Sequence, residues 1–572
     1  MICSPQRRSR FVLLAVAIVT LNSGCNPEPE LPADLVLLDG KVVTVDENVP
    51  DGEAIAMKGD TIVAVGSDRE IRAFIGAETE VIDLDGKLAI PGFIDSHVHF
   101  TGIGQAKMQL NLMSVANWEE IVSMVEAVVG DASTGELIRG RGWHQEKWDH
   151  TPEDNVDGLP THHTLSAVSP NNPVVLRHAS GHASFANAKA MEMSNITART
   201  PDPAGDEIVR DENGEPIGAF RETAQQLLAR ASEGAEPPDP RRVIELANQE
   251  VISKGLTTVH DAGSPFETVD LIKDMVDAGE IDVRLWVMIR DSNERLAQRL
   301  SDYWMLGHGD NHLTVRAVKR TLDGALGPHG AWLLEPYEDL PSSSGLNTGT
   351  VASVTESARI AASNGFQLAI HAIGDRANRE SLDIIEQTYA LYPDRNDWRW
   401  RIEHSQHLHP TDIPRFAEIG VIPSMQGIHC TSDALYVLER LGERRAEEGA
   451  YVWQKLMATG AIIPNGTDAP VEDVDPIAGF YATVSRRLAD GSVFYPDQRM
   501  SREEALRSYT INGAYAGFEE DVKGSLTPGK FADVTVLSQD IMTIPEGEIP
   551  STEVVYTIIG GKVVYSRDAS VN

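Results

Sequence analysis

The chain has 572 residues, of which 41% are hydrophobic and 24% are charged, a composition typical of a folded globular protein rather than a disordered one. Its 49 Lys and Arg face 86 Asp and Glu, which gives a formal net charge of −37. Nucleic-acid binding needs a basic face, so this balance excludes a nucleic-acid partner and disfavours a polyanionic substrate unless the site is locally positive. Three cysteines, Cys3, Cys25 and Cys430, are too few for a disulfide framework.

The first 25 residues resemble a bacterial lipoprotein export signal. Arginines at positions 7, 8 and 10 precede an apolar run over residues 11–21, which has the length of a signal core and is too short for a comfortable membrane span. The run leads into LNSGC, where Cys25 would be lipidated and become the first residue. We expect residues 1–24 to be a signal peptide and the protein to be an exported periplasmic or cell-envelope lipoprotein. An uncleaved N-terminal anchor is the alternative.

Both ends of the remaining chain predict short strands. Residues 34–46 (DLVLLDGKVVTVD) and 557–565 (TIIGGKVVY) each place a DG or GG pair between apolar runs, which is a hairpin signal because these residues accept positive φ. A further hairpin is predicted from Ala54 (AIAMKGDTIVAVG), and a further strand over 532–537. We infer one small composite β-sandwich domain built from residues 31–87 and 519–572. Two unrelated end caps are the alternative.

The centre of the chain, residues 88–518, alternates short apolar runs with helical stretches, which predicts a parallel sheet covered by helices. Eight runs qualify as strands: LAIPGFIDSHVH, LTTVHDAG, VRLWVMI, LTVRAVKRTLDG, FQLAIHAIGD, WRIEHSQ, GVIPSMQ and AIIPNGTDAP. The predicted fold class is therefore α/β, with a (β/α)8 TIM-type barrel. Residues from about 104 to 250 separate the first two strands, a stretch too long for one crossover, and predict an inserted subdomain that could cap the site.

Polar residues follow these strands at the end where a barrel builds its active site. His97 and His99 form HVH at the end of the first strand. Residues i and i+2 of a strand point to the same face, so both imidazoles can reach one metal ion. Two hydrogen-bonded loop histidines are the alternative reading of HVH alone.

Four more residues end other strands of the set: Lys319 the fourth, His371 the fifth, His404 the sixth and Asp468 the eighth. A lysine in a barrel interior costs free energy unless its charge is removed or paired. Carbamylation by CO₂ would turn Lys319 into a carboxylate able to bridge two cations, whereas a salt bridge with Asp323 is the alternative. Each residue alone is ambiguous, but strand ends that converge on one rim indicate a metal site.

The motifs PGFIDSHVHF, GLTTVHDAG, VKRTLDGALG, IHAIGDRA, RIEHSQHL and NGTDAPV resemble the amidohydrolase superfamily, and within it the YtcJ-like metal-dependent hydrolases of amidohydrolase family 3. The resemblance spans nearly the whole chain after the signal. It implies two divalent metal ions, zinc by expectation, with His97 and His99 on one and His371 and His404 on the other. Lys319 would bridge them as a CO₂-derived carbamate, and Asp468 would complete the ligand set.

Two divalent cations that flank one water lower its pKa from near 16 towards about 7, which supplies hydroxide at neutral pH. Asp468 is then the expected catalytic residue, taking the proton of the attacking water and passing it to the leaving amine. We therefore expect a hydrolase of carbon–nitrogen bonds other than peptide bonds, acting on a small amide such as an N-substituted formamide. A deaminase or an ester or lactone hydrolase on the same scaffold is the first alternative, and a lipid-anchored, non-catalytic binding protein the second.

Four residues are candidates for substrate contact: His182, His260, Gln426 and His429. His182 matches a family histidine, His260 ends the second strand, and Gln426 and His429 follow the seventh. An internal hydrogen bond is the alternative for His260, and a structural or polar loop role is the alternative for the other three. His407 and His409 are predicted to be solvated loop residues. Relatives commonly read DGALGSRGA where this chain reads DGALGPHGA, so Pro328 and His329 make transfer of a relative's substrate unsafe. Membrane contact is expected only through a lipid on Cys25.

Overall fold

The computed structural model describes residues 32–145, 148–179, 181, 183–203, 207–232 and 238–568. The predicted export signal and Cys25 lie outside the described residues. Within these ranges, no helix has both the length and the apolar character that crossing a membrane requires.

The strands of the described residues form five sheets. In chain order they are β1 Leu35–Leu38, β2 Lys41–Val42, β3 Ala54–Lys58, β4 Thr61–Gly66, β5 Glu80–Asp83, β6 Leu88–Pro91, β7 Phe93–Val98, β8 Leu110–Asn111, β9 Ile138–Trp143, β10 Asn155–Val156, β11 Leu159–Pro160, β12 Val174–His178, β13 Ala183–Ala186, β14 Ile208–Arg210, β15 Pro216–Arg221, β16 Leu256–Ser264, β17 Arg284–Ile289, β18 Met305–Gly307, β19 Leu313–Thr321, β20 Gln367–Ala372, β21 Arg401–His404, β22 Ile422–Ser424, β23 Val534–Leu537, β24 Val554–Ile559 and β25 Lys562–Ser566.

The α-helices lie mainly between the strands of the central region. In chain order they are α1 Asp68–Ile71, α2 Phe100–Lys107, α3 Trp118–Asp131, α4 His163–Val168, α5 Ala188–Met193, α6 Pro240–Ser253, α7 Phe266–Asp277, α8 Asn293–Arg299, α9 His308–Asn311, α10 Val351–Ser363, α11 Asp375–Ala390, α12 Ile413–Ile419, α13 Gly427–Gly449, α14 Trp453–Met457, α15 Pro476–Ser485, α16 Arg502–Ser508 and α17 Ile511–Ala516.

Helix α6 shows why these segments become barrel helices. Asp239 caps its first turn by accepting a hydrogen bond from the backbone N–H of Arg241, and Pro240 occupies the first position, where no N–H is needed. Val243, Ala247 and Val251 then recur every four residues and are buried against the barrel, while polar residues take the outer face.

Seven strands form a parallel, nearly closed barrel in the order β7-β16-β17-β19-β20-β21-β22, with β18 paired antiparallel to β19. This confirms the predicted α/β class and TIM-like architecture. The first predicted strand, LAIPGFIDSHVH, is divided in two: β7 belongs to the barrel, and β6 belongs to a sheet that both termini share. Barrel strands β7, β16 and β17 are almost wholly buried, as expected of strands covered on both faces.

The eighth predicted strand is not a regular strand, although it occupies the gap between β22 and β7. Met425 pairs with residues 464 and 466 on one side, and Ser96 donates its N–H to the carbonyl of Asn465 at 2.9 Å on the other. Pro464 lacks a ladder N–H, and a Cβ on Gly466 would lie 2.6 Å from Asp95 Oδ1, so the segment stays irregular and close to β7. We call residues 461–470 the closing segment.

Strands from both termini form a mixed five-stranded sheet, β2-β6-β23-β24-β25, as the strand patterns at both ends predict. A second sheet, β4-β3-β1-β5, comes from the N-terminal part alone. Apolar side chains of both sheets, among them Leu37, Ile55, Val534 and Ile558, share one buried cluster. The Gly560–Gly561 hairpin and the hairpin from Ala54 are present as predicted.

The predicted hairpin at Asp39–Gly40 is wrong. The two runs on either side of this turn enter different sheets, since β1 pairs with β3 and β5 whereas β2 pairs with β6. Asp39 adopts φ +53°, and the chain passes from one sheet to the other there instead of folding back. The local turn signal was correct, but the pairing partners were decided by strands far along the chain.

The segment between β7 and β16 forms a subdomain with its own core. Its six-stranded sheet has the order β14-β15-β13-β12-β9-β8, and α3, α4 and α5 accompany it. Trp118, Trp143, Leu176 and Phe185 anchor a buried cluster separate from the barrel core. Trp143 is therefore a core residue of this subdomain, which we call the insert.

A buried ion pair joins the barrel to the terminal sheet. Arg284 begins β17, and its Nε and Nη2 donate to the two carboxylate oxygens of Asp533 at 2.8 and 3.0 Å. Both side chains are almost wholly buried, and Asp533 also accepts the N–H of Gly560. Burial raises the pKa of Asp533, but the Arg284 guanidinium outweighs that effect and holds it below its usual range.

We expect Asp533→Asn to lower the free energy of unfolding by about 3–5 kcal/mol, because it leaves the Arg284 charge buried without a counter-ion. Asp34→Asn, which neutralises the exposed partner of Lys58, is the matched control and should cost about 1 kcal/mol or less. Midpoints of chemical denaturation check both variants. Equal midpoints for the two variants would contradict the structural role of the buried pair.

Candidate metal centre

The predicted ligands converge at the carboxyl ends of the barrel strands. His97 and His99 leave β7, Lys319 lies near the end of β19, His371 lies in β20 and His404 ends β21. The closing segment carries Asp468 to the same rim. Parallel strands bring their carboxyl ends together, so residues more than 300 positions apart in sequence meet there.

A first group that could hold a metal ion consists of His97, His99 and Asp468. Asp468 Oδ1 lies 3.2 Å from His99 Nε2 and 3.5 Å from His97 Nε2. His97 is fully buried, whereas about a third of the His99 side chain is exposed, so this group faces the opening of the site.

A second group consists of His404, His429 and the same Asp468. Asp468 Oδ2 lies 3.9 Å from His429 Nε2, and the His404 and His429 rings are stacked with centroids 6.2 Å apart. The carboxylate of Asp468 therefore stands between two clusters of imidazoles, with one oxygen towards each. His429, predicted as a substrate contact, lies here beside the predicted metal ligands.

Hydrogen bonds at Nδ1 of His97 and His404 determine which ring nitrogen of each residue can bind a metal ion. His97 Nδ1 donates to Glu403 Oε2 at 2.5 Å, and His404 Nδ1 donates to Gln426 Oε1 at 2.7 Å, so both rings direct an Nε2 lone pair into the site. The predicted substrate contact Gln426 is itself buried and orients His404 in this way.

His429 has the opposite tautomer. Gln406 Nε2 donates to His429 Nδ1 at 3.0 Å, which places the proton of His429 on Nε2, facing Asp468. In this arrangement His429 offers a hydrogen-bond donor to the site rather than a lone pair. Substrate contact by His429 stays a prediction, and this geometry suits it.

Lys319 is buried beneath the two groups, with Nζ 3.2 Å from His97 Nε2. Burial lowers the pKa of this ammonium to about 8, against the opposing pull of Glu403 and Asp468. Among the described residues, Lys319 forms no salt bridge with Asp323, which was the alternative. The carboxylate of Asp323 instead accepts hydrogen bonds from the backbone N–H groups of Trp332, Ile373 and Gly374 at 2.8–3.0 Å. Burial raises the pKa of Asp323 to about 7 despite these bonds.

His371 lies beside the second group without belonging to either group of mutually close atoms. Its ring meets the His404 ring edge-on at 4.4 Å, and its Nε2 is 3.6 Å from Asp323 Oδ1. That nitrogen is buried and has no hydrogen-bond partner among the described residues. His371 stays a predicted ligand, and its unpaired nitrogen is consistent with the role.

His260 has a supporting position. It is fully buried, and its Nδ1 accepts a hydrogen bond from Arg401 Nη1 at 2.9 Å, while its ring stacks on Trp286. The structure places this ring within the barrel wall, where it supports Arg401. The substrate contact predicted for His260 stays a prediction. The equivalent prediction for His182 lies outside the described residues.

Two other histidines that the sequence analysis singled out, His407 and His329, have partners outside the site. His407, predicted to be solvated, is buried against Tyr451, and burial lowers its pKa to about 3, so that prediction is wrong. The apolar Leu408 and the packing of Gly449 on this loop draw it inward. His329, at the departure from the family motif, pairs with Asp339 at 3.1 Å.

The site has the electrostatic character of a cation site. Burial lowers the pKa of His97 to about 4 and that of His371 to about 3, so both imidazoles are neutral ligands at pH 7. Burial also opposes ionisation of Asp468, but the hydrogen bond from His99 and the neighbouring imidazoles hold its pKa well below the usual range. Among the described residues, the buried Nε2 of His371 has no hydrogen-bond partner, which fits a site built to bind metal.

Sequence reasoning missed the buried ion pair beneath the ligands. Arg401 Nε lies 2.7 Å from Glu403 Oε1, and Arg401 also donates to the carbonyl of Ser96 and to Ser424 Oγ. Two charged residues inside the five-residue run WRIEH were the available signal, because charges are kept in a buried strand only when paired. Asp95 was missed as well; it accepts hydrogen bonds from Thr467 and anchors the closing segment.

The comparisons with known proteins agree with this geometry. The model of the amidohydrolase family (Amidohydro_3) matches residues 80–565, so the chain belongs to the amidohydrolase family and is a metal-dependent hydrolase of that superfamily. The family prediction from the motifs is thereby confirmed.

Two relatives and one solved structure match nearly full length. Protein LONG AFTER FAR-RED 3 of Arabidopsis thaliana is 32% identical, covering 97% of each chain. N-substituted formamide deformylase of Arthrobacter pascens is 28% identical over 94% of this chain and 99% of its own. The crystal structure of an uncharacterized metal-dependent hydrolase from Pyrococcus horikoshii is 26% identical, has a TM-score of 0.72, and covers 90% of this chain and 99% of its own.

Glu403→Gln tests whether the buried carboxylate supports the metal centre. The amide can still accept from His97 Nδ1, but it leaves the Arg401 charge uncompensated and makes the imidazole a weaker ligand. We expect metal affinity to fall about 10–100-fold, measured by competition with a metal buffer.

Asp412→Asn is the control for Glu403→Gln, since Asp412 is a buried carboxylate paired with Arg379 and Arg415 outside the site. It should change stability without changing metal affinity. Unchanged affinity in Glu403→Gln would show that this carboxylate is only a fold residue.

Proposed function

We propose that this protein hydrolyses a carbon–nitrogen bond other than a peptide bond in a small molecule, such as an N-substituted formamide or a related amide. The observation that carries the proposal is the position of Asp468, whose two carboxylate oxygens face two separate imidazole groups. A relative that matches nearly the whole chain is named as an N-substituted formamide deformylase, which supports the same reaction class.

Two divalent cations, zinc in this proposal, would be held by the four imidazoles of His97, His99, His371 and His404 together with Asp468. When bound, such ions polarise a carbonyl group and lower the pKa of water. The Nδ1 hydrogen bonds of His97 and His404 fix the tautomers that this ligand set needs. A substrate would approach from the side of His99, whose ring is the more exposed of the pair.

Lys319 would complete the site as a carbamate. Its lowered pKa increases the fraction of neutral amine, the form that reacts with CO₂, and the reaction forms an N–C bond and releases one proton. The product is a carboxylate at the end of a buried side chain, beside His97 Nε2. Carbamylation would therefore replace the buried positive charge of the Lys319 ammonium by a negative charge near the two imidazole groups.

Asp468 would carry the proton. It is ionised at neutral pH, so it can accept a proton from the attacking water and then donate it to the leaving amine. An amine leaves an amide readily only once it is protonated, whereas an aryl alcohol leaves without that help. His429 Nε2–H would donate a hydrogen bond to the substrate on the same side of the carboxylate.

The cellular setting belongs to the proposal as well. A lipid on Cys25 after removal of residues 1–24 would anchor the enzyme in the cell envelope, where it would meet small amides from outside the cell. The basis is the N-terminal sequence alone.

Formanilide and phenyl formate are a matched amide and ester that test the reaction class. We expect the metal-loaded enzyme to release formate and aniline from formanilide. Asp468→Asn should lower kcat for formanilide about 10²–10⁴-fold, with a smaller loss for phenyl formate, because only the amide needs a protonated leaving group. Formate release measures both reactions, and metal analysis accompanies each variant.

If the enzyme hydrolyses esters but no amide in a broad panel of substrates, the esterase alternative is favoured. Release of ammonia from amino-substituted rings would favour a deaminase. Near-normal formanilide turnover by Asp468→Asn would remove Asp468 from the mechanism. Loss of most of the metal in that variant would instead make Asp468 mainly a ligand.

Lys319→Ala should lose bound metal and activity together, and added acetate should restore part of both by filling the place of the carbamate. Lys523→Ala is the matched control, because Lys523 is also a buried lysine but pairs with Glu519 beneath the barrel. Metal content and formanilide turnover are the measurements. An alanine variant at position 319 with full metal and turnover would refute the bridging role.

A further inference from the structure

We propose that Arg141 and Arg177 of the insert bind a carboxylate group of the substrate, so that the preferred substrate is an anionic amide. This inference rests on the proposed function and adds the charge of the substrate to it. Its basis is the position, register and pairing of two arginines next to the segment that carries Asp468.

The two arginines are side by side on neighbouring strands. Arg141 of β9 and Arg177 of β12 are direct partners in the parallel register, so their side chains leave the sheet on the same face. Like charges directly opposite each other destabilise a sheet. A bound anion between them would remove this repulsion.

This face of the insert meets the metal centre. Arg141 Nη1 donates to the carbonyl of Pro470 at 2.7 Å, and Pro470 follows Asp468 by two residues in the closing segment. The Pro470 ring and the His99 Cβ both lie against Gly102 at the start of α2. The arginine pair is therefore adjacent to the more exposed side of the first imidazole group.

Neither guanidinium has an acidic partner within 4.0 Å among the described residues. Arg177 is exposed, makes no side-chain hydrogen bond there, and lies against Gly181, where a Cβ would be 3.3 Å from its Nη2. Two other arginines of the same sheet are paired: Arg221 with Glu207 at 2.7 Å, and Arg210 with Asp202 at 3.6 Å. Arg139 of β9 has no acidic partner within 4.0 Å among the described residues either, but it faces Val175 rather than a second arginine. In a chain with 86 acidic residues, two adjacent unpaired arginines beside the site indicate an external anion.

The local electrostatics agree. Burial and the neighbouring Arg177 lower the pKa of Arg141, while Asp468 opposes this effect. A guanidinium pair presents planar forks of N–H donors that match the two oxygens of a carboxylate. The net charge of −37 does not prevent this, because exposed charges beyond about 8–10 Å are screened by salt and the nearby pair dominates.

The experiment uses N-formyl derivatives of glycine, 4-aminobutyrate and 6-aminohexanoate, each with its neutral carboxamide. The series varies the spacing between the formamide and the charge. We expect kcat/KM for the best carboxylate to exceed that of its carboxamide, and Arg177→Gln to lower the carboxylate value about tenfold while the carboxamide value changes less than twofold. High salt should reduce the preference for the carboxylate in the wild type.

Arg221→Gln is the matched control, with the same charge change on the same sheet, and should leave both values unchanged. Arg177→Lys keeps the charge but loses the fork, so its preference should fall between those of the wild type and Arg177→Gln. Equal losses on the charged and neutral amides, or no loss on either, would overturn the proposal.

If no N-formyl compound is hydrolysed, the binding affinities of each carboxylate and its carboxamide for the metal-loaded protein can be compared by calorimetric titration. A carboxylate that binds the wild type about tenfold more tightly than Arg177→Gln would retain the anion site while refuting the proposed deformylation. Equal binding by both proteins would refute the anion site independently of turnover.

Discussion

The ionised carboxylate of Glu403 is the constraint on which the centre depends. It is fully buried in the barrel, where an unpaired charge would be very costly, and Arg401 and His97 satisfy it from two sides. Burial would raise the pKa of Glu403, but these partners hold it well below its usual value. Because His97 must donate Nδ1–H to this carboxylate, its other nitrogen can face only Lys319 and Asp468.

The same arrangement connects distant parts of the barrel. Arg401 also contacts His260, the backbone of β7 and Ser424 of β22, so one guanidinium ties together three strands beneath the site. Above it, Asp95 fixes the closing segment through Thr467 and thereby sets the position of Asp468. This network fixes the ring orientation of His97 and the position of Asp468, and Gln426 fixes the ring of His404.

The closing segment fills the gap in the barrel without being a regular strand. Pro464 cannot donate a ladder hydrogen bond, Gly466 packs closely on β7, and Asp468 adopts a left-handed backbone (φ +59°) at the rim. The insert then meets this segment at Pro470 through Arg141. The barrel thus carries the candidate metal ligands, and the insert contacts the segment that holds Asp468, an arrangement typical of a barrel core and its loops.

Much of this protein could be predicted from its sequence, because strand-end polar residues and alternating apolar runs are local signals. The α/β barrel and the shared terminal sheet were predicted in this way, and the amidohydrolase family was predicted from the resemblance of the motifs to that family. The residues proposed as ligands do converge on one rim. The DG turn at Asp39 shows the limit, since a turn motif does not specify which strands will pair. The pairing of His404 with Gln426, the burial of His407 and the register of Arg141 with Arg177 depend on contacts between segments distant in sequence. Only the tertiary structure decided them, because packing and hydrogen-bond satisfaction act on neighbours in space and leave no local pattern in the chain.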